Sequence, residues 1–300
     1  MSDVILLIFT GLSVGAVYFL LGSGLALIFG LMRVLTFAHG AYLTACAYAG
    51  WLVLRRSSLA SPPSVASLLL ALLVGIAVGG ALAFLTERIL LRALYKRDHL
   101  DQLLITAGLG FSLVALLNGV WGPDNRAVPT PAWFTRTTTD IFGAHIARGD
   151  FVLVGAAVLL LIALEAFLKY TRHGLVVRAG VENREMVRAL GIDVRRSFTL
   201  IFTLGGAVAG LGGVLAALYA NAVNTSIGDS YLLYAFIVLV VGGLGSLRGA
   251  AIAAVAVGLL QQFANFYVNP GLGEILSFVL MGGMLLLRPE GVGGKKGRLI

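Results

Sequence analysis

Charged residues are scarce in this chain. Asp, Glu, Lys and Arg together make up 12% of its 300 residues, about half the ~25% of a soluble domain, too few for a polar coat. The single cysteine, Cys46, excludes a disulfide scaffold, and the 39 glycines follow no period that would suggest collagen. The four histidines, His39, His99, His145 and His173, are scattered, with no HExxH or CxxC spacing, and no G-x-x-x-x-G-K-[ST] phosphate loop occurs. Neither a catalytic cluster nor a metal or cofactor site can be assembled, so the chain does not read as an enzyme. Carboxylates are also missing from the middles of the apolar runs, with Glu87, Glu165 and Glu274 near their ends. A carrier driven by ions or protons needs a titratable partner at depth. That favours a transport pathway energised by another subunit over an ion-coupled secondary carrier.

Apolar residues are abundant, at 59% of the chain, and the mean hydropathy is +0.95. About 20 apolar residues span a ~30 Å hydrocarbon core. The runs Val4–Met32, Val34–Leu54, Val65–Thr86, Leu103–Trp121, Phe151–Leu168, Phe198–Tyr219 and Leu272–Leu287 each qualify as a span. Tyr231–Tyr267 is too long for one crossing and splits near Gly245–Gly249. The expected fold is all-α: one polytopic transmembrane bundle over residues 1–300, with eight to ten spans once half-helices are allowed for. The acidic start Met1-Ser2-Asp3 and the length of the first run argue against a cleaved signal, so that run counts as a span.

The basic residues are unevenly shared between the loops. If the loop around 173–196 is cytoplasmic, alternation puts it on one side with Arg33, the Arg88–Arg97 cluster, Arg248 and the tail from Arg288. Only Arg55, Arg56, Arg126, Arg136 and Arg148 fall on the other side. The positive-inside rule then sets the N-terminus outside and the C-terminus in the cytoplasm. The net charge of +8 therefore reports insertion beside membrane lipid, not a nucleic-acid partner. Trp51, Trp121 and Trp133 fall at the outer ends of spans or in the outer loop, residues 122–150, which is expected to form a short interfacial helix or loop.

Within 173–196 the pattern is helical. Val181, Met186, Val187 and Leu190 can share an apolar face opposite Glu182, Arg184, Glu185 and Arg188, and Gly191 supplies a stop. Such a helix suits either docking into a groove of a soluble partner or lying on an anionic leaflet. Glycines crowd two other runs, Gly205 to Gly213 with Gly210 among them and Gly242 to Gly249, as close helix packing in lipid requires.

Several segments in order along the chain resemble the permeases of ABC importers for branched-chain amino acids. They are Gly24-Leu25, Ile28-Phe29-Gly30, Phe37-Ala38-His39-Gly40, Arg178-Ala179 with Asn183 and Leu190-Gly191-Ile192, Gly242-Gly243-Leu244-Gly245-Ser246-Leu247-Arg248-Gly249, and Arg288-Pro289-Glu290-Gly291. The length suits the LivH-like branch. Thr36 stands where that family usually has Asn, and Val292-Gly293 where it has Leu-Phe.

The resemblance implies a multi-pass subunit of a bacterial inner membrane that provides the substrate path for hydrophobic amino acids by alternating access. A urea or short-amide permease of the same family is the alternative. The implied partners are a related second permease, two cytoplasmic ABC ATPases and a periplasmic substrate-binding protein. Arg178, Ala179, Asn183, Met186, Arg188, Leu190 and Gly191 would form the loop that couples to the ATPases. Phe37, His39, Gly40 and Tyr42 are candidates for the pathway or its gate. His39 reads either as a gating group or as a histidine satisfied by a backbone carbonyl, and Tyr42 and Tyr48 either line a path or pack. Gly210, Gly243, Gly245 and Arg248 are expected at helix packing or at a turn, Arg248 against a helix C-terminus or a lipid phosphate.

Overall fold

The computed structural model describes all residues except 1, 33–35, 61, 95–96, 136–137, 142, 177–193 and 294–300. Nine helices of sixteen residues or more lie among the described residues: α1 (Ser2–Met32), α2 (Ala38–Ala60), α3 (Val65–Thr86), α4 (His99–Trp121), α5 (Arg148–Tyr170), α6 (Val194–Ala220), α7 (Ile227–Gly242), α8 (Leu247–Tyr267) and α9 (Leu272–Leu287). They correspond one for one to the apolar runs. Helices α1, α3, α4, α5, α6 and α8 are long and apolar enough to cross a membrane, and α7 and α9 are shorter apolar helices. The chain is a polytopic, all-α membrane protein.

Local chemistry sets the helix ends. Pro62-Pro63 cannot continue α2, and Ser64 then starts α3 with a reciprocal box. Its hydroxyl accepts from the Ser67 amide at 3.3 Å, and the Ser67 hydroxyl accepts from the Ser64 amide at 2.9 Å. Helix α3 passes through a π-turn at Glu87–Leu91 before ending at Leu94. The buried Glu87 carboxylate there lies 3.9 Å from the Arg92 guanidinium, which also donates to the Thr199 hydroxyl at the head of α6. Asn265 closes the α8–α9 turn by accepting from the Gly271 and Gly273 amides.

Helices α1 and α6 are central and mostly buried, whereas α4 and α5 bury little of their length. Large apolar side chains such as Leu104, Phe111 and Leu116 on α4 and Val158, Leu159 and Ile162 on α5 are exposed. These faces have no cover among the described residues of the chain. Helix α2 is the least apolar, carrying His39, Thr44, Tyr42 and Tyr48, and all four are fully buried. A helix shielded by its neighbours need not be lipophilic.

Glycines let the helix axes close up. A β-carbon on Gly210 of α6 would run into the Gly75 carbonyl of α3, and one on Gly79 into the Gly206 carbonyl. Gly24 meets Gly205 between α1 and α6, and Gly15 meets Ala254 between α1 and α8. Without a hydrophobic drive between helices in lipid, dispersion across such backbone contacts becomes the main cohesion.

The bundle has two ends. At one, β1 (Arg126–Ala127) pairs with β4 (Ala222–Val223), and β2 (Thr138–Ile141) forms an antiparallel ribbon with β3 (Ala144–Ala147). The 122–150 segment thus holds strands as well as the short helix Ala132–Thr135. The ribbon had a signal in the β-branched Thr138-Thr139 and in Gly143, whose φ of +81° makes the turn. The three tryptophans gather here: Trp51 is buried and donates to the Ala127 carbonyl at 3.1 Å, Trp121 is half-buried and stacks on Tyr48, and Trp133 is half-buried.

Candidate functional site

The opposite end is built from the motif segments. Helices α7 and α8 are joined by a tight turn in which Gly243 (φ +97°) and Gly245 (φ +88°) take backbone shapes that other residues strain to adopt. Gly245 lies against the Gly30 backbone at the foot of α1, where a β-carbon would collide. Ser246 caps α8, its hydroxyl accepting from the Gly249 amide. The segment after α9 returns to this turn: the Val292 and Gly293 amides donate to the Val241 and Gly242 carbonyls, both at 2.9 Å. Arg248 makes a two-pronged ion pair with Glu165 of α5, at 2.5 and 2.9 Å. That carboxylate is its partner within the chain. Segments far apart in sequence, at 28–30, 242–249 and 288–293, are therefore one joint.

The head of α2 brings together Phe37, His39, Gly40 and Tyr42. His39 is fully buried, and its Nε2–H donates to the Leu21 carbonyl of α1 at 3.3 Å. Leu21 lies eleven residues before Met32, so the His39 ring sits about 16 Å inside the foot of α1 at ~1.5 Å per residue. This is deeper than a helix head at the inner mouth. Gly40 packs on the backbone of Gly228, the second residue of α7, and the Thr44 hydroxyl accepts from the Gly228 amide at 3.0 Å while donating to the Gly40 carbonyl. Two helices therefore begin against each other inside the bundle. Of the four candidates only Phe37 is exposed, with its ring 5.6 Å from that of Phe236. Tyr42, like Tyr48, is fully buried.

The residues Arg178, Ala179, Asn183, Met186, Arg188, Leu190 and Gly191 lie outside the described residues. Their flanks emerge at the glycine-turn end, after Tyr170 of α5 and before Val194 of α6. Among the described residues no group of His, Cys, Asp and Glu is placed to hold a metal ion.

One feature near the strand-capped end escaped the sequence reading. A cavity of about 170 Å³ opens between α1, α6, α7 and α8, lined by Tyr18, Tyr219, Tyr231, Gln261, Gln262 and Asn265 over a floor of Val14 and Val17. The signal was available in Gln261-Gln262 and Asn265, three amide side chains inside an otherwise apolar run.

Residues 7–287, from the first turns of α1 to the end of α9, match the family model for the branched-chain amino acid transport system / permease component. The chain belongs to that family. It is a transport permease component, not an enzyme. The high-affinity branched-chain amino acid transport system permease protein LivH of Escherichia coli K12 is 27% identical over 96% of this chain and 94% of its own length. BraD of Pseudomonas aeruginosa, described in the same words, is 26% identical over 95% of this chain and 94% of its own. A probable branched-chain amino acid transport permease LivM of Methanocaldococcus jannaschii is 26% identical over 76% of this chain and 67% of its own. No solved structure matches the chain at a significant level.

Proposed function

We propose that this permease forms the substrate pathway of an ATP-driven importer for branched-chain amino acids in a bacterial inner membrane. The family match across all nine helices carries this reading, and the high-affinity systems named for LivH and BraD support the substrate. A related second permease, of the kind the LivM similarity suggests, completes the pathway. Two cytoplasmic ABC ATPases couple through the 173–196 loop at Arg178, Ala179, Asn183, Met186, Arg188, Leu190 and Gly191, and a periplasmic protein delivers substrate at the strand-capped end. ATP binding and hydrolysis switch the pair between outward- and inward-facing states.

The charge distribution supports the orientation. Lys and Arg concentrate on the loops of the glycine-turn end, which is therefore cytoplasmic. In a Cys46→Ala background, Asp124→Cys reacts with an impermeant maleimide from outside, whereas His173→Cys reacts only after permeabilisation; the reverse pattern would invert the bundle. At the head of α2, the exposed Phe37 ring is the gate element, and His39, Gly40 and Tyr42 hold it in place.

Substrate is tested by uptake of labelled leucine in cells lacking other leucine importers and expressing the complete system. Unlabelled isoleucine and valine should compete and urea should not. Uptake of urea without leucine would move the chain to the short-amide branch.

A further inference from the structure

The cavity near the strand-capped end has a chemistry that its position makes costly. Tyr231, Gln261, Gln262 and Asn265 are only partly buried, on helices otherwise apolar enough for lipid. Gln261 and Asn265 have partners within the chain, and a polar lining of this kind is less costly against water than against hydrocarbon.

Its walls are organised. The Tyr18 hydroxyl donates to Gln261 Oε1 at 2.5 Å, and Gln261 Nε2 donates to the Tyr234 hydroxyl at 3.4 Å. One amide thus clamps two rings that are stacked at 4.4 Å and 7°. Tyr231 stands edge-on to Tyr18, 6.5 Å away, and Tyr219 closes a further wall. Two carboxylates flank the group, Asp150 beside Tyr219 and Glu274 beside Tyr234. None of the residues lining the cavity is basic. Ring faces, phenol oxygens and nearby carboxylates present negative potential, which attracts a cation and repels an anion. The valine floor accepts an aliphatic chain.

We propose that this cavity binds the ammonium group of a zwitterionic, apolar amino acid as it passes through the permease. This deepens the branched-chain reading and rests on it for the identity of the whole substrate, whereas the ammonium preference rests on the cavity alone.

The two halves of leucine serve as probes, isopentylamine carrying the ammonium and isovalerate the carboxylate. Each is titrated calorimetrically into the full chain in lipid nanodiscs. Isopentylamine should bind at least tenfold more tightly than isovalerate. Tyr231→Leu should weaken the amine at least fivefold, while Tyr231→Phe, which keeps the ring, should hold it within twofold. Equal affinity for the two probes, or amine binding unchanged in a correctly inserted Tyr231→Leu, would overturn the site. The substrate reading fails separately: amine binding that responds to Tyr231 in a system that takes up no leucine would keep the cavity and remove the branched-chain assignment.

Discussion

At the scale of single residues, cohesion rests on what is missing from the side chain. Gly210 faces the Gly75 carbonyl with no room for a methyl group, whereas Gly108 of α4 has nothing near the place a β-carbon would take. The same substitution should therefore have opposite signs. Gly210→Ala forces α3 and α6 apart, at a cost of about 1–3 kcal/mol typical of overpacking. Gly108→Ala removes backbone freedom in an open helix position and should leave stability unchanged or raise it by up to ~1 kcal/mol. Thermal unfolding in detergent reads both; equal shifts would mean that the glycine seam does not hold the bundle. His39 is similar in kind. A histidine satisfied by a backbone carbonyl was one of two readings open from sequence, but neither that the carbonyl is that of Leu21 nor its depth was legible, because both depend on where α2 starts relative to α1.

At the scale of elements, the nine helices were legible because each is a long apolar run, and the split of Tyr231–Tyr267 was legible because only glycine suits a turn with two positive φ values. The ribbon at 138–147 left only a short signal in Thr138-Thr139 and Gly143, since four-residue strands make too brief a pattern. Helix α7 also starts earlier than its apolar run, taking in Asp229, because its head is buried against α2. The tyrosine cavity draws on four helices whose residues lie up to about 250 positions apart, a convergence no local pattern reveals.

The coupling loop remains a proposal from its periodicity. Docking its apolar face should bury Leu190, worth about 1.5–3 kcal/mol, and a glutamate there would forfeit that and desolvate a charge. Leu190→Glu should insert normally, lose the ATPases on purification by at least tenfold in affinity and abolish uptake. Retained ATPase association with normal substrate-stimulated hydrolysis would leave the loop a membrane-surface element and move coupling to the Arg88–Arg97 loop.

At the scale of the whole molecule, a central pair of helices, α1 and α6, is wrapped by helices that present apolar surface outward. The motif segments gather into one joint at the end that carries most of the basic charge. The chain has neither a phosphate loop nor an Asp or Glu in the middle of its apolar runs, and under the proposed function the energy for transport comes from the ATPase partners. Leucine uptake into proteoliposomes holding the permease pair and its ATPases, with binding protein added outside, tests this directly. Uptake should require ATP inside the vesicles and persist when a protonophore and an ionophore collapse the ion gradients. Uptake without ATP that stops on collapse of those gradients would contradict the account and make the chain an ion-coupled carrier.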